Sequence, residues 1–247
     1  MAEICGWIEP NWSAPPNVRA LTTLRKGGYS QQPFNGLNLG DHVGDDSAAV
    51  SRNRQLLYQS LNLPSELIWL TQVHGIEVID AGVAPKDWEA DAVSSSAPGQ
   101  VCAVLTADCL PLLLCNQTGD RVAAVHAGWR GLADGVIEAT LNHLAIPEDE
   151  IMAWLGPAIG PECFEVGAEV RDAFLQHDPE AETAFKANRP GHWLADIYQL
   201  ARLRLKARGV DSVWGGEYCT VTDKECFYSY RRDGRTGRMA SLIWIEE

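Results

Sequence analysis

The feature that most constrains the fold is a succession of near-continuous apolar runs in the centre of the chain. Residues 101–106, 111–115 and 122–127 are rich in Val, Leu and Ala. Runs of this length without polar alternation are typical of buried strands. The sequence N-Q-T-G-D at 116–120 separates the last two runs and predicts a hairpin turn. The centre of the protein is therefore predicted to be sheet.

Helical and strand-like patterns surround this centre without a regular alternation. Helices are predicted at 48–61, 134–144, 168–177 and 195–208. Further strands are predicted at 67–73, 77–81, 151–155, 213–219 and 238–245. Because strands occur in runs before helices, the pattern favours an α/β (α+β) fold with mixed sheets over a regular doubly wound one. The 247 residues contain no repeat or long polar linker, so we expect a single domain over residues 1–247.

The charge of the chain limits its partners. Its net charge is −13 and its pI is near 4.9. An acidic surface repels phosphate backbones and anionic lipids, so we expect binding to neither nucleic acid nor membrane. A small basic pocket for an anionic ligand remains compatible with this charge.

The N-terminus and the cysteines predict a cytoplasmic protein. Residues 1–10 lack the basic region and apolar run of a signal peptide, and no stretch approaches the roughly 20 apolar residues of a membrane span. The seven cysteines are an odd set without C-x-x-C spacing, which favours reduced thiols. They are Cys5, Cys102, Cys109, Cys115, Cys163, Cys219 and Cys226.

Three segments place a potential metal ligand at the end of an apolar run, close to Gly or Pro. They are T-Q-V-H-G at 71–75, T-A-D-C-L-P at 106–111 and A-V-H-A-G-W-R-G at 124–131. Strand ends project side chains into a shared crevice while the sheet fixes their positions. The candidate ligands are therefore His74, Cys109 and His126, although spacing alone does not join His74 to the other two.

The predicted hairpin allows a geometric test of the last two ligands. If residues 116–119 form a four-residue loop, Cys115 pairs with Asp120, and Cys109 then faces His126. Directly opposed residues have Cβ atoms about 4.5–5.5 Å apart, which lets a thiolate and an imidazole bind one ion. A loop longer by one residue would put the two side chains on opposite faces. Taken singly, a buried Cys or a structural His is the commoner explanation of each residue.

The three segments, with G-P-A-I-G at 156–160 and S-Y-R-R-D-G-R-T-G-R at 229–238, resemble the bacterial laccase-domain family. This family is also described as polyphenol oxidase-like and as a type of purine nucleoside phosphorylase. The resemblance runs from about residue 22 to the C-terminus, and the family's N-L-G at 38–40 and N-R at 53–54 are present. One departure is Leu24 between Thr23 and Arg25, which leaves the role of Arg25 open.

The resemblance implies a zinc site formed by His74, Cys109 and His126, in a mixed α/β fold with packed sheets and outer helices. It also implies phosphorolysis of adenosine, inosine, guanosine and methylthioadenosine, and deamination of adenosine. The expected partners are thus a purine nucleoside and phosphate, and the expected cofactor is Zn²⁺, with copper as the alternative. Two His and one Cys leave a fourth coordination position free, as in catalytic zinc sites.

Other residues are candidates for the chemistry around this metal. Cys109, His126 and Asp108 are the catalytic candidates, with Asp108 as a partner of the metal ligands or an acid–base group. A turn-stabilising aspartate is an equally good interpretation of Asp108. The substrate-binding candidates are Arg130, Arg231, Arg232, Asn38 and Gln72. The arginines suit phosphate, but a solvated charge cluster is the default for those near the C-terminus.

Three rival functions use the same residues. His₂Cys is also a copper ligand set, so a phenol oxidase is possible from the ligands alone. A multi-copper enzyme, however, needs many histidines, and this chain has six, including His143, His177 and His192 without clustering. Cys109 and His126 also fit a thiol hydrolase. A non-enzymatic binding factor with a structural zinc is the third rival.

Overall fold

The computed structural model describes Ile4, residues 6–83 and residues 88–246. Cys5 lies outside the described residues, as do residues 1–3 and 84–87. The strands are β1 (Trp7–Ile8), β2 (Val18–Thr23), β3 (Val78–Asp80), β4 (Ala92–Ser95), β5 (Cys102–Thr106), β6 (Leu110–Asn116), β7 (Val122–Ala127), β8 (Ile151–Leu155), β9 (Glu165–Gly167), β10 (Phe185–Ala187), β11 (His192–Ala195), β12 (Ser212–Gly215) and β13 (Met239–Ile245). The α-helices are α1 (Ser47–Leu61), α2 (Trp129–Asp134), α3 (Val136–Leu144), α4 (Ala168–Leu175), α5 (Ile197–Ala207) and α6 (Tyr230–Asp233). Short 3₁₀ turns cover Glu148–Glu150 and Pro179–Ala184.

The strands form three sheets. A six-stranded sheet has the order β12-β8-β6-β7-β4-β3, and a four-stranded sheet has the order β1-β2-β13-β5. A small third sheet has the order β10-β11-β9. The pairs β12–β8 and β3–β4 are parallel, and the other strand pairs are antiparallel. The predicted mixed α/β fold is confirmed.

The two large sheets pack face to face, and helices cover their outer faces. Leu113 of β6 packs in one core with Val104 of β5 and Ile243 of β13. Leu112, the neighbour of Leu113 on β6, points the other way and packs with residues of α3 and α5, such as Ile137. This alternation is the period-2 geometry of a strand buried on both faces. On the far side of the four-stranded sheet, α1 packs against β2, β5 and β13.

The register of the β6–β7 hairpin differs from the predicted one. Cys115 pairs with Val122 rather than Asp120, so Pro111, not Cys109, lies opposite His126. The Asn116 side chain explains the shift, because its Oδ1 accepts from the backbone N–H groups of Asp120 and Arg121. The loop thus begins one residue later and also ends one residue later than predicted. The register changes by two residues in all, and an even change leaves every side chain on its predicted face.

The predicted strand at 67–73 is the largest error of assignment. Among the described residues, Thr71 alone in this segment makes a β-bridge, with Glu89. Gln72 replaces the missing strand pairing, because its side-chain amide donates to Leu105 O at 2.8 Å and accepts from Leu105 N at 2.7 Å. The Gln72 side chain thus takes the place of a neighbouring strand at the outer edge of β5. The backbone at 73–75 therefore turns away instead of continuing as a strand.

Glycines account for two further differences. The helix predicted at 134–144 is interrupted at Gly135, whose φ of +104° ends α2 and precedes α3. The strand predicted at 213–219 stops at Gly215, which has a φ of +80°. The remaining predicted helices are present with ends shifted by one to two residues, as is usual for helix termini.

No helix in the described part of the chain has both the length and the apolar character needed to cross a bilayer. The six cysteines that the structure describes are all free thiols.

Candidate metal centre and its pocket

His74, Cys109 and His126 come together from three separate parts of the chain. One potential ligand atom from each of them lies within 4.8 Å of those of the other two. The Cys109 Sγ is 3.9 Å from His74 Nε2, and the two imidazole rings have centroids 4.8 Å apart. Among the described residues, this is the one group of three or more His, Cys, Asp or Glu side chains that could hold a metal ion. His143, His177 and His192 are not part of it.

The fold explains how each ligand reaches this place. His126 lies near the end of β7, and Cys109 lies just before β6. Residues 107–109 carry the chain from β5 in the four-stranded sheet to β6 in the six-stranded sheet. His74 lies in the turn that precedes β3 and has a left-handed backbone, with a φ of +63°. The site therefore lies where the chain crosses from one packed sheet to the other.

Asp91 holds two of the three ligands, and it was not singled out from the sequence. This carboxylate is 0% exposed. Its Oδ1 accepts from His126 Nδ1 at 2.7 Å and from His74 N at 3.0 Å. Its Oδ2 accepts from Gly75 N at 2.7 Å and from Val73 N at 3.2 Å. The one signal for it in the sequence was a charged residue between alanines at the start of a buried strand.

These hydrogen bonds have two consequences for metal binding. Because a carboxylate only accepts, His126 must carry a proton on Nδ1, so Nε2 is the ring nitrogen that can bind a cation once it has given up its own proton. The three backbone N–H groups tied to Asp91 hold the His74 turn, whose left-handed conformation is unfavourable for a non-glycine residue. A carboxylate behind a ligating imidazole is the usual support of a protein metal site.

The electrostatics of the ligands suit a cation as well. Desolvation alone would raise the pKa of the Cys109 thiol, but His126 and His74 outweigh it and lower the pKa to about 6. Burial opposes protonation of His126, whereas the Cys109 thiolate and Asp91 raise its pKa to about 9. A thiolate at neutral pH is the form that binds metals. Two imidazoles and one thiolate fit Zn²⁺, and the same set also occurs in copper sites.

The absence of a side chain at Gly128 leaves room for the three ligand side chains. A Cβ atom at this position would lie 2.8 Å from His74 Cδ2 and 3.2 Å from Cys109 Sγ. Gly128 has a φ of −64°, which any residue can adopt. Glycine is therefore required here by the close approach of the ligands rather than by the backbone.

The three ligands line a pocket of about 330 Å³, which is within the range of small-molecule sites, about 300–1,000 Å³. Its walls are mainly apolar and aromatic. They include Leu105, Ala107, Trp129, Ile159, Phe164, Ile197 and Tyr230. Besides the ligands, the polar residues of the lining are His42, Gln72, Thr106, Asp108, Arg231 and Arg238. His42 and Arg238 were not among the candidates from the sequence.

Asp108 lines the pocket, but its carboxylate is already engaged. Its Oδ1 accepts from Thr220 Oγ1 at 2.6 Å, and its Oδ2 accepts from Arg231 N at 2.6 Å. Asp108 also has a positive φ, +96°, and its carbonyl accepts from Ile159 N. The side chain thus ties together the loops that build the pocket.

The substrate-binding candidates separate into two groups. Gln72 and Arg231 line the pocket, although the Gln72 amide is held by Leu105 and Arg231 Nη1 donates to Cys163 O and Glu165 O. Arg130 is exposed outside the pocket lining, with its guanidinium 4.5 Å from the Trp129 ring centroid.

Arg232 and Asn38 have structural contacts instead. Arg232 donates to the carbonyls of Thr220, Val221 and Phe227 and pairs with Asp233. Asn38 is 0% exposed, and its Oδ1 accepts from Gly40 N and Arg238 N. Both lie away from the pocket surface because backbone groups have taken up their polar atoms. Nothing in the sequence distinguished this use from substrate binding.

Arg25, whose role was open, also has a structural setting. Its guanidinium lies 4.8 Å from the Tyr228 ring centroid and donates to the carbonyl of Lys224.

Similar proteins include several named for one activity. A purine nucleoside phosphorylase of Pseudomonas aeruginosa is 55% identical over 98% of this chain and 99% of its own length. The purine nucleoside phosphorylase YfiH of Escherichia coli is 52% identical over 96% of this chain and 98% of its own length. Both alignments extend over nearly the full length of the chain.

Solved structures show the same fold. A Neisseria meningitidis protein is 49% identical and superposes with a TM-score of 0.93, over 98% of this chain and 99% of that one. The Geobacillus stearothermophilus protein YlmD is 31% identical, with a TM-score of 0.90 over 100% of this chain and 98% of that one. The model of the family described as multi-copper polyphenol oxidoreductase laccase matches residues 19–246. From the relatives, the fold and this match, we conclude that the chain belongs to that laccase-domain family.

Proposed function

We propose that this protein is a zinc-dependent purine nucleoside phosphorylase. Its substrates would be adenosine, inosine, guanosine and methylthioadenosine, with deamination of adenosine as a second activity. The observation that carries the proposal is the group His74, Cys109 and His126 in an apolar pocket of nucleoside size, in a chain about half identical to named phosphorylases.

In phosphorolysis, the bond from C1′ of the ribose to N9 of the purine breaks, and a phosphate oxygen bonds to C1′. The departing purine takes up a proton, and the products are the free base and ribose 1-phosphate. Zinc held by His74, Cys109 and His126 would supply a Lewis acid to this pocket. The same centre, provided with water in place of phosphate, would serve deamination at C6 of adenosine.

The residues of the chain have defined tasks in this proposal. Trp129, Phe164 and Tyr230 offer aromatic faces to the purine and exclude water from the reacting atoms. Arg231 and Gln72 are the remaining substrate-binding candidates at the pocket surface. Asp108 acts by holding the loop of Thr220 and the backbone of Arg231 in place. It is therefore a positioning residue rather than an acid–base group.

The rival functions fit less well. A multi-copper oxidase needs several ligand clusters, and the described residues contain one group of three ligands. A thiol hydrolase would use the Cys109 thiolate as a free nucleophile, which requires that no metal bind it. A purely structural zinc would not need a pocket of about 330 Å³ beside it.

The decisive experiment compares Cys109→Ala with Cys226→Ala, a half-buried free cysteine outside the ligand group. Purified protein is analysed for bound zinc and for release of hypoxanthine from inosine with and without phosphate. We expect Cys109→Ala to lose both bound zinc and phosphate-dependent release while its circular dichroism is unchanged. The control should keep all three properties.

Full turnover by Cys109→Ala would contradict the proposed function. Release of base by the wild-type protein at the same rate without phosphate would contradict phosphorolysis in particular. Ammonia release from adenosine tests the deaminase activity separately.

A further inference from the structure

Arg238 differs from the other arginines near the C-terminus in its surroundings. It lines the pocket, and within the described part of the chain no carboxylate lies within ion-pairing distance of it. Its Nη1 donates to the carbonyls of Thr236 and Gly237, at 3.1 and 3.0 Å. The Nε and Nη2 groups of the same guanidinium meet no protein acceptor among the described residues. Two parallel N–H donors are therefore left for a ligand.

The stem of Arg238 is held firmly in position. Asn38 Oδ1 accepts from Arg238 N, and Leu39 N donates to Arg238 O. Gly40 packs so closely on the stem that a Cβ at that position would lie 2.8 Å from Arg238 Cγ. An arginine fixed in this way loses little conformational entropy when it binds a ligand.

The guanidinium shares the lining of one pocket with all three candidate metal ligands. Burial lowers its pKa, while the charges of Cys109 and Asp108, which also line the pocket, act in the opposite direction. Of these two anions, Asp108 is already bound by Thr220 and Arg231 N, and Cys109 belongs to the candidate metal group. Once a cation neutralises the thiolate, Arg238 has no remaining anionic partner that is free to bind it.

His42 belongs to the same part of the pocket lining. It lines the pocket and lies two residues along the chain from Gly40, which packs on the stem of Arg238. Arg231, by contrast, has its guanidinium 5.6 Å from the Phe164 ring centroid and donates from Nη1 to the carbonyls of Cys163 and Glu165. The pocket lining thus combines the metal ligands, two arginines and aromatic side chains.

We propose that Arg238, with His42 beside it, is the subsite that holds the phosphate co-substrate. This inference rests on the proposed function, because it names where the second substrate binds. The free Nε–H and Nη2–H donors match two oxygens of one phosphate, a bidentate and charge-assisted contact. Phosphate bound there would share the pocket with the metal ligands, while the purine packs on the aromatic side chains.

The kinetic test compares Arg238→Met with Arg235→Met. Arg235 lies in the same segment and donates to Gly44 O, outside the pocket lining, so it is a matched control. We expect Arg238→Met to raise the KM for phosphate by at least about tenfold and to change the KM for inosine by less than about threefold. An unchanged KM for phosphate, or a rise confined to the KM for inosine, would overturn the assignment.

A second measurement needs neither turnover nor a variant that folds. Wild-type protein is treated with phenylglyoxal, which modifies accessible arginines, and the modified positions are located by peptide mass mapping. Inorganic phosphate should slow modification of Arg238 but not of Arg235. Equal rates with and without phosphate would refute the subsite. If wild-type protein releases no base from nucleosides yet phosphate protects Arg238, the proposed function fails and the anion site stands.

Discussion

At the scale of single residues, the site depends on a carboxylate, that of Asp91, which is not itself one of the candidate metal ligands. Asp91 fixes the tautomer of His126 and caps the turn of His74 through four hydrogen bonds. The two imidazoles come from distant parts of the chain, and one buried side chain aligns both. The alignment of the two imidazole ligands therefore depends largely on Asp91.

Asp91→Asn tests this role. The amide keeps the shape of the carboxylate but turns one of its two acceptors into a donor, which would face backbone N–H groups or the imidazole. We expect zinc affinity to fall by about 10–100-fold, as measured by competition with a chromophoric chelator. Asp120→Asn, at an exposed carboxylate of the hairpin loop, is the control and should bind zinc as the wild type does. Wild-type affinity in Asp91→Asn would show that Asp91 does not orient the ligands.

The lowered pKa of the Cys109 thiol leads to a prediction about the pH dependence of its reactivity. Its pKa is lowered to about 6, so in zinc-depleted protein the reactive thiolate is lost as pH falls through about 6 and is present above it. Alkylation by iodoacetamide, followed by mass mapping, should accordingly have its midpoint near pH 6. Cys115, whose burial raises its pKa to about 12, serves as the unreactive control.

Zinc should abolish this reactivity at every pH at which it binds. Alkylation of Cys109 that proceeds equally with zinc present would contradict metal binding and favour the thiol hydrolase.

At the scale of secondary-structure elements, the apolar runs and the helix at 48–61 were predictable because their periodicity reflects burial on known faces. The register of the β6–β7 hairpin was not, since it depends on the Asn116 side chain bonding the loop backbone. The strand predicted at 67–73 failed for a related reason, because Gln72 replaces backbone pairing. Tertiary contacts of single polar side chains override local patterns in both cases.

The junction between β7 and α2 gives a prediction at this scale. In Gly128→Ala, the added methyl group would meet His74 Cδ2 at 2.8 Å, so the ligand must move. We expect zinc affinity to fall by at least about tenfold, while the fold of the zinc-free protein, followed by thermal unfolding, changes little. In Gly75→Ala the new atom meets its neighbours at 3.5 Å or more, and zinc binding should persist. Equal affinities in the two variants would contradict the crowding argument.

At the scale of the whole molecule, two packed sheets bring the ends of non-adjacent strands to one place. The candidate ligands could be named from the sequence because each lies close to Gly or Pro at one end of an apolar run, although only the family resemblance joined His74 to the other two. Arg238 and His42 could not, because their proximity arises only when the loop at 40–44 packs on the C-terminal segment. In a chain of net charge −13, the lining of this pocket nevertheless includes two arginines, Arg231 and Arg238, which suits an anionic co-substrate.

The most direct test of the central claim is the coordination of zinc in the purified wild-type protein, measured by X-ray absorption at the zinc edge. Convergence of His74, Cys109 and His126 on one ion predicts one sulfur at about 2.3 Å and nitrogen or oxygen neighbours at about 2.0–2.1 Å. The sulfur contribution should vanish in Cys109→Ala. A zinc shell without sulfur in the wild type, or one that keeps its sulfur in Cys109→Ala, would contradict the account.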